Sequence, residues 1–345
     1  LETKPKDKLY CGVDKQKIQE ASPILQEKAY QNLLIWIEER YKVHVKKDVL
    51  KLPKPWTEFS PLRTFRFTNV KRYHDRETIH LIQNISLNDS LSLKEKIINS
   101  FLFRSWNKWK TMEILGGPWK EKEMMKKENF RHIVEDYSKE NPNYIWFTNA
   151  FNTGGLKASQ KFPDGEGYSR AYTEEKAKKI EGWEMCIPLR MFHLLPQIEN
   201  NKIVEKILGA KNQKEVFETI KEVRGFAVFL AYQVFVDLTY IPEFPFSENE
   251  FTVSGPGCRR GLEKLFKDKD GLTDEELLFW LRDNQKEVFD LDFNLLMSDL
   301  PKEDRRLTVM DLENALCELS KLMKYIENTG RIKIKYDGEP KNDLF

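Results

Sequence analysis

Residues 248–266 read ENEFTVSGPGCRRGLEKLF, and the way this stretch folds decides what kind of protein the chain forms. Gly255, Gly257 and Gly261 fall within seven residues and lead into a helix-like run. The spacing GxGxxxG suits a dinucleotide turn, a grip on a nucleic-acid phosphate, or a plain connector. A dinucleotide turn needs a strand before it, a βαβ unit around it and an acidic residue on a later strand. The surroundings read as helical, which argues against that option. Glycines at a bend between two helices expose backbone N–H groups, and the following helix points its positive dipole end outward. A helix–Gly-Pro-Gly–helix hairpin can therefore hold one DNA phosphate without reading sequence. Arg259 and Arg260 lie just beyond the bend and add charge. A short connector is the plainer alternative.

The helical context comes from the neighbours. SPILQEKAYQNLLIWIEERYKVHVKK repeats apolar residues at helical spacing after a Ser-Pro cap. SLKEKIINSFLFRSWNKWKTMEIL opens with Ser92 and Glu95 at capping-box spacing. EVFETIKEVRGFAVFLAYQVFVDLTY is apolar nearly all round, the mark of a central buried helix. Thr273 and Glu276 cap DEELLFWLRDNQKEV, and TVMDLENALCELSKLMKYIENTG is a final amphipathic helix ending before Gly330. LPKPWTEFSP is a proline-punctuated turn. The expected organisation is a polar extension over 1–22, one mainly α domain over 23–330 with a variable loop at 154–185, and a tail over 331–345.

Composition bounds the function. The chain has 345 residues, 40% hydrophobic and 32% charged, as in a globular protein with a Lys/Glu-rich surface. Its formal net charge is only +2, so any basic site must be local. Four scattered cysteines without CxxC favour reduced, intracellular thiols. No apolar run approaches the roughly 18–20 residues of a membrane span. The nucleotide loop GxxxxGK[ST] does not occur. FKDKDGLTDEEL imitates a calcium loop but puts Phe266 and Leu277 where oxygen ligands are required. Glu77 and His80 have the spacing of a di-iron half-site with no second half, so no metal and no cofactor are expected.

Polar chemistry concentrates in three places. RTFRFTNVKRYHDRET carries Arg63, Asn69, Arg72, Asp75 and Arg76 among aromatic residues. If this segment is helical from Asn69 onward, Asn69, Arg72 and Arg76 share a face and form a phosphate clamp, with Asp75 beside them as a base or an orienter. A solvated ion-pair face is the alternative. FLFRSWNKW places Arg104 and Asn107 one turn apart beside aromatic rings that suit stacking on an unpaired base. FLAYQVFVDLTY puts Gln233 and Asp237 four apart in an apolar helix, where burial without partners costs several kcal/mol. Glu248 and Asn249 stand just before the Gly-Pro-Gly turn.

These segments, in this order, resemble the helical domain of 5-hydroxymethyluracil-DNA kinases and the related α-glutamyl/putrescinyl-thymine pyrophosphorylases of DNA-base hypermodification. The matching stretches are PWTEFSPLRTFRFTNVKRYHDR, FLFRSWNKW, GFAVFLAYQVFVDLTY, FSENEFTVSGPGCRRGLEKLF and DLENALCELSKLMKY, which cover most of residues 30–330. The resemblance implies a DNA-glycosylase-like helical fold and work on the 5-methyl carbon of thymine derivatives already in DNA. It points to Arg63, Asn69, Arg72, Asp75, Arg76, Arg104, Asn107, Gln233, Asp237, Glu248, Asn249, Gly255 and Gly257 as site residues. The kinase form of the family carries an extra nucleotide-binding domain that does not appear in this sequence.

The expected function is a transferase acting on phosphorylated 5-hydroxymethyl pyrimidine in DNA, replacing the activated group with an amine. Arg72, Arg76 and Arg104 would stabilise the departing phosphate, and Asp75 or Asp237 would take the amine proton. Expected partners are DNA with the modified base flipped out, a small amine or amino-acid donor and a separate kinase, without a membrane. The setting is intracellular, cytoplasmic or nuclear, with a phage or virus as a source the resemblance allows. Rival readings are a DNA-recognition module without turnover, a glycosylase-like base-excising enzyme, and an interaction protein with no nucleic-acid role.

Overall fold

The computed structural model describes residues 10–124, 127–141, 144, 146–148 and 191–329. The loop expected at 154–185 and the tail at 331–345 lie outside these residues. The described residues are mainly helical, and their architecture rests on α1 Glu27–His44, α2 Leu93–Trp106, α3 Val228–Thr239, α4 Pro256–Leu265, α5 Asp274–Asp283 and α6 Val309–Ile326. The sheet among them has two short antiparallel strands, β1 Ile24–Leu25 and β2 Phe266–Asp268.

Helix ends follow local chemistry. Ser92 with Glu95 and Thr273 with Glu276 form the expected capping boxes on α2 and α5, each satisfying two backbone donors that would otherwise lack partners. A third box, Thr308 with Asp311, opens α6. Three boundaries differ from expectation. The Ser-Pro pair does not cap α1: Ile24 and Leu25 pair as a strand first, and the Gln26 side chain accepts from the Ala29 N–H instead. The long apolar run breaks into Gln213–Lys221 and α3, with Gly225 at φ 105° in the gap, a conformation that favours glycine. Residues 69–71 are not helical, so Asn69, Arg72 and Arg76 do not share a helix face. Arg72 lies in a single 3₁₀ turn, Arg72–His74, and Arg76 begins a separate short helix, Arg76–Leu81.

The described residues divide into two compact units. The first joins those up to Asp75 with those from Ser247 onward, and the second is Arg76–Phe246. In the first, α1, α4, α5 and α6 bury a core of Trp36, Ile37, Tyr41, Leu262, Leu265, Leu278, Leu316 and Leu319. In the second, α3 packs on α2 and buries every residue from Ala231 to Leu238.

The glycine-rich stretch opens α4 without joining two helices. Helix α3 ends at Thr239, and no helix intervenes before Pro256, so the helix–Gly-Pro-Gly–helix hairpin is not formed. Its glycines serve packing. A Cβ at Gly257 would run into Cys317 Sγ, and one at Gly261 into the Leu316 carbonyl, closer in each case than real Cβ atoms approach. Absence of these side chains lets α4 lie against α6 backbone to backbone. The Gly255 N–H is also taken, donating to the buried Glu313 carboxylate at 3.1 Å.

Candidate functional site

In the first unit, α6 lays a polar stripe along residues 66–75. Asp311, Asn314, Glu318 and Lys321 recur at helical spacing and so share one face. Asp311 accepts from the Arg72 backbone N–H at 2.9 Å and from Lys71 Nζ at 2.7 Å. The Asn314 amide donates to the Asn69 carbonyl at 3.4 Å. Lys321 donates to the Arg66 carbonyl and, at 3.1 Å, to Glu318. An irregular segment is thus held by side chains, as buried backbone groups outside regular structure must be.

Asp75 gathers the segment. Its Oδ1 accepts from the Asn69 backbone N–H at 3.0 Å and from the Asn69 amide at 3.2 Å, while Oδ2 accepts from Arg72 at 3.1 Å. The Asn69 amide also donates to the His74 carbonyl at 2.8 Å. A tight turn therefore brings Asn69, Arg72 and Asp75 together, while Arg76, expected on the same face, is not among them. His74 stacks on His44 at 3.9 Å between ring centroids, and His44 Nδ1 lies 3.2 Å from Asp48. Burial, followed by the nearby His44 and Lys71 charges, pushes His74 down to about 3. Four buried polar atoms here have no hydrogen-bond partner among the described residues: Thr68 Oγ1, Asn69 Oδ1, Tyr73 OH and His74 Nδ1. Buried polar groups are normally satisfied, so this cluster of exceptions makes the segment the candidate site.

Two carboxylates on α6 are perturbed. Burial pushes Glu313 up to about 7 against the opposing Gly255 hydrogen bond and the Arg72 charge. Burial also raises Glu318, opposed by Lys321. Sequence reasoning missed Asp311, Glu313, Asn314, Glu318 and Lys321. The available signal was a polar stripe at three- and four-residue steps inside a helix otherwise read as amphipathic.

The second unit holds a closed polar knot. Arg104 and Asp237 are fully buried and paired in two-pronged fashion, Nη2 to Oδ1 at 2.7 Å and Nε to Oδ2. Arg104 also donates to Asn107 Oδ1 and, at 3.3 Å, to Thr78. Asn107 closes α2 in the left-handed conformation and donates to Thr148 at 2.6 Å. Gln233, one turn before Asp237, is buried with its Oε1 lacking a partner among the described residues. Lys108 is buried with Nζ 3.9 Å from the Tyr144 ring centre, and burial pushes it down to about 8 against the Glu77 charge.

The remaining expected site residues are dispersed. Arg63 is exposed beside Glu58, and Arg76 is exposed on Glu77. Glu248 accepts from Thr308 at 3.1 Å, and Asn249 accepts from the Val309 N–H at 3.1 Å, so both fasten the start of α6. Arg259 is exposed and reaches Ser254; Arg260 is exposed. Trp106 is core, whereas Trp109 is half-buried and stacked on His80 at 5.7 Å. Cys11, Cys258 and Cys317 form no disulfide. Among the described residues, no group of three or more His, Cys, Asp or Glu side chains is placed to hold a metal ion, and no helix is long and apolar enough to cross a membrane.

The geometry thus defines a helical protein with a polar site on an irregular segment. A family model described as the helical domain of 5-hmdU DNA kinase matches residues 27–331, so the chain belongs to that family. It is similar to the 5-hmdU DNA kinase of Bacillus phage SP10, with 25% identity over 300 residues. The match covers 83% of this chain and 44% of that kinase, so the chain spans less than half the length of its relative. No solved structure matches it.

Proposed function

We propose that this chain modifies 5-hydroxymethyluracil in DNA, and that it takes the phosphorylated base and replaces the phosphate with an amine. The observation that carries this reading is the Asn69–Arg72–Asp75 turn with its unmatched buried polar atoms, in a chain of the 5-hmdU DNA kinase helical family. In the reaction, the carbon–oxygen bond at the 5-methylene group breaks and its electron pair leaves with the phosphate. The amine nitrogen forms the new bond to that carbon and gives its proton to a base. Asp75 is the better base of the two expected aspartates, because it is part-exposed while Asp237 is locked on Arg104. Arg72, beside Asp75, meets the developing phosphate charge. Arg104 and Asp237 serve by holding the second unit together, and exposed Arg63, Arg76, Arg259 and Arg260 meet DNA phosphates.

The test is mass spectrometry of nucleosides from hydroxymethyluracil DNA incubated with the protein and mixed amines, with and without a DNA kinase. A new amine-bearing nucleoside that depends on prior phosphorylation is the expected result. Unchanged product from both Asp75→Asn and Arg72→Ala would sink the assignment of roles.

A second reading has an observation of its own: the charged groups at both polar clusters are already paired within the protein, which suits a recognition module. It predicts salt-sensitive binding to DNA with no new nucleoside. The base-excising reading rests on fold analogy alone, and abasic sites in treated DNA would be needed to support it.

A further inference from the structure

The corner that follows α1 is left unused by this chemistry. Helix α1 runs on into one wide π-helical turn, Val45–Val49, and residues 49–55 are all exposed. Lys46, Lys47, Lys51 and Lys54 crowd nine residues, against a single acid, Asp48, which is engaged by His44 and, at 3.5 Å, by Lys47. Among them Val49, Leu50 and Leu52 stand 48%, 57% and 46% exposed.

The corner is a built shape. The Leu50 N–H donates to the Val45 carbonyl at 2.8 Å, and the Leu52 N–H to the Lys46 carbonyl at 2.9 Å. Trp56 Nε1 donates to the Leu52 carbonyl at 2.7 Å, and Lys46 Nζ to the Trp56 carbonyl at 2.9 Å. Lys47 and Lys54 lie 5.8 and 5.3 Å from the centre of the Trp56 ring. Lys51 is held at φ 52°, a left-handed conformation that is unfavourable for a side-chain-bearing residue. Strain of this kind persists where the surroundings over-determine it, and it clusters at sites of function.

We propose that residues 46–54 form a DNA-engaging knob, in which the four lysines hold phosphates and Leu50 and Leu52 wedge into the base stack beside the modified pyrimidine. The proposal rests on the reading of DNA as substrate. Charge complementarity selects the occupant: four exposed lysines interleaved with exposed aliphatic side chains in nine residues match a polyanion with an apolar stack inside it. Aliphatic wedges insert between base steps in this manner, and their contacts offset part of the unstacking that extruding a base costs.

The test uses the full chain and a duplex carrying 5-hydroxymethyluracil beside 2-aminopurine. Replacing Lys46, Lys47, Lys51 and Lys54 together by Gln is expected to flatten the slope of log K against log salt by about 3–4, since each phosphate contact contributes about 0.9. The pair Leu50→Ser and Leu52→Ser is expected to keep that slope and lose the rise in 2-aminopurine fluorescence. All six side chains are exposed, and the Lys46–Trp56 bond lies at the surface, so thermal melting of both variants should stay within a few degrees of the parent. Parent and variants binding with one slope and one fluorescence change would overturn the knob. Loss of binding to phosphatidylserine vesicles in place of DNA, or of a dimer seen in sedimentation, would overturn it in favour of a membrane or a second copy. A parent protein that binds no DNA at all would instead overturn the functional reading beneath it.

Discussion

The two units differ in their most buried polar clusters, although Lys71–Asp311 is a buried pair in the first and Gln233 Oε1 is unmatched in the second. In the second, Arg104 and Asp237 are fully buried and spend their charge on each other, on Asn107 and on Thr78. In the first, Asp75 binds Asn69 and Arg72, yet four polar atoms in the same short segment stay unmatched. Charge buried in a closed pair acts on the fold. A segment with unmatched donors and acceptors is the better candidate for a binding role. Family membership alone makes no such distinction, because both clusters fall within the matched residues.

The largest expected effect lies in the closed pair. Asp237→Ala should leave the Arg104 charge buried without its partner and destabilise the protein by about 3–5 kcal/mol in urea unfolding, while Arg104→Met with Asp237→Leu should recover most of that loss. Asp75→Asn should cost far less stability, and equal losses at the two aspartates would erase the contrast. Next comes turnover. Asn69→Ala should lower the yield of modified nucleoside about 100-fold, within the range for groups that position proton transfer, while the melting temperature moves only a few degrees. A smaller effect is expected where α4 meets α6. Gly261→Ala pushes a methyl group at the Leu316 carbonyl and should cost about 1–3 kcal/mol. Gly255→Ala, which meets only the end of the Glu313 side chain, should cost less.

The pH dependence separates two groups within the first unit. His74 is depressed to about 3, so between the ordinary histidine value and 3 the unfolded chain binds a proton that the folded chain refuses. Stability should fall as pH drops below about 6.5, by at most about 1.4 kcal/mol per pH unit, and His74→Phe should remove the slope. Glu313, raised to about 7, has the opposite sign. Its contribution is present at low pH and is lost as pH rises from the ordinary carboxylate range through 7, and Glu313→Gln should flatten that loss. Urea midpoints from pH 4 to pH 8.5 measure both.

Much of the fold was legible. The Ser92–Glu95 and Thr273–Glu276 boxes declared two helices because capping chemistry is local. The apolar run over α3 declared a buried helix because such a surface has nowhere else to go. The candidate site was half legible. Asn69, Arg72 and Asp75 stood out by composition, but their geometry depends on Asp311 and Asn314, more than 200 residues away. Local propensity does not see such partners, so a turn pinned by a distant helix was read as a helix of its own. The glycines misled for a related reason. GxGxxxG looks alike whether it faces a phosphate or the backbone of α6, and only the tertiary neighbour distinguishes them.

The first unit is assembled from both ends of the described chain, with the second inserted after Asp75. During synthesis, Arg76–Phe246 leaves the ribosome complete, whereas residues 66–75 must wait for α6. Domains generally fold as units while the chain emerges, so the closed pair of Arg104 and Asp237 would form while Lys71 still lacked Asp311, 240 residues further on. The turn over residues 69–75 would then be among the last parts of the molecule to take shape. A ribosome stalled before Val309 should display a protease-resistant middle unit and an N-terminal segment still open to cleavage.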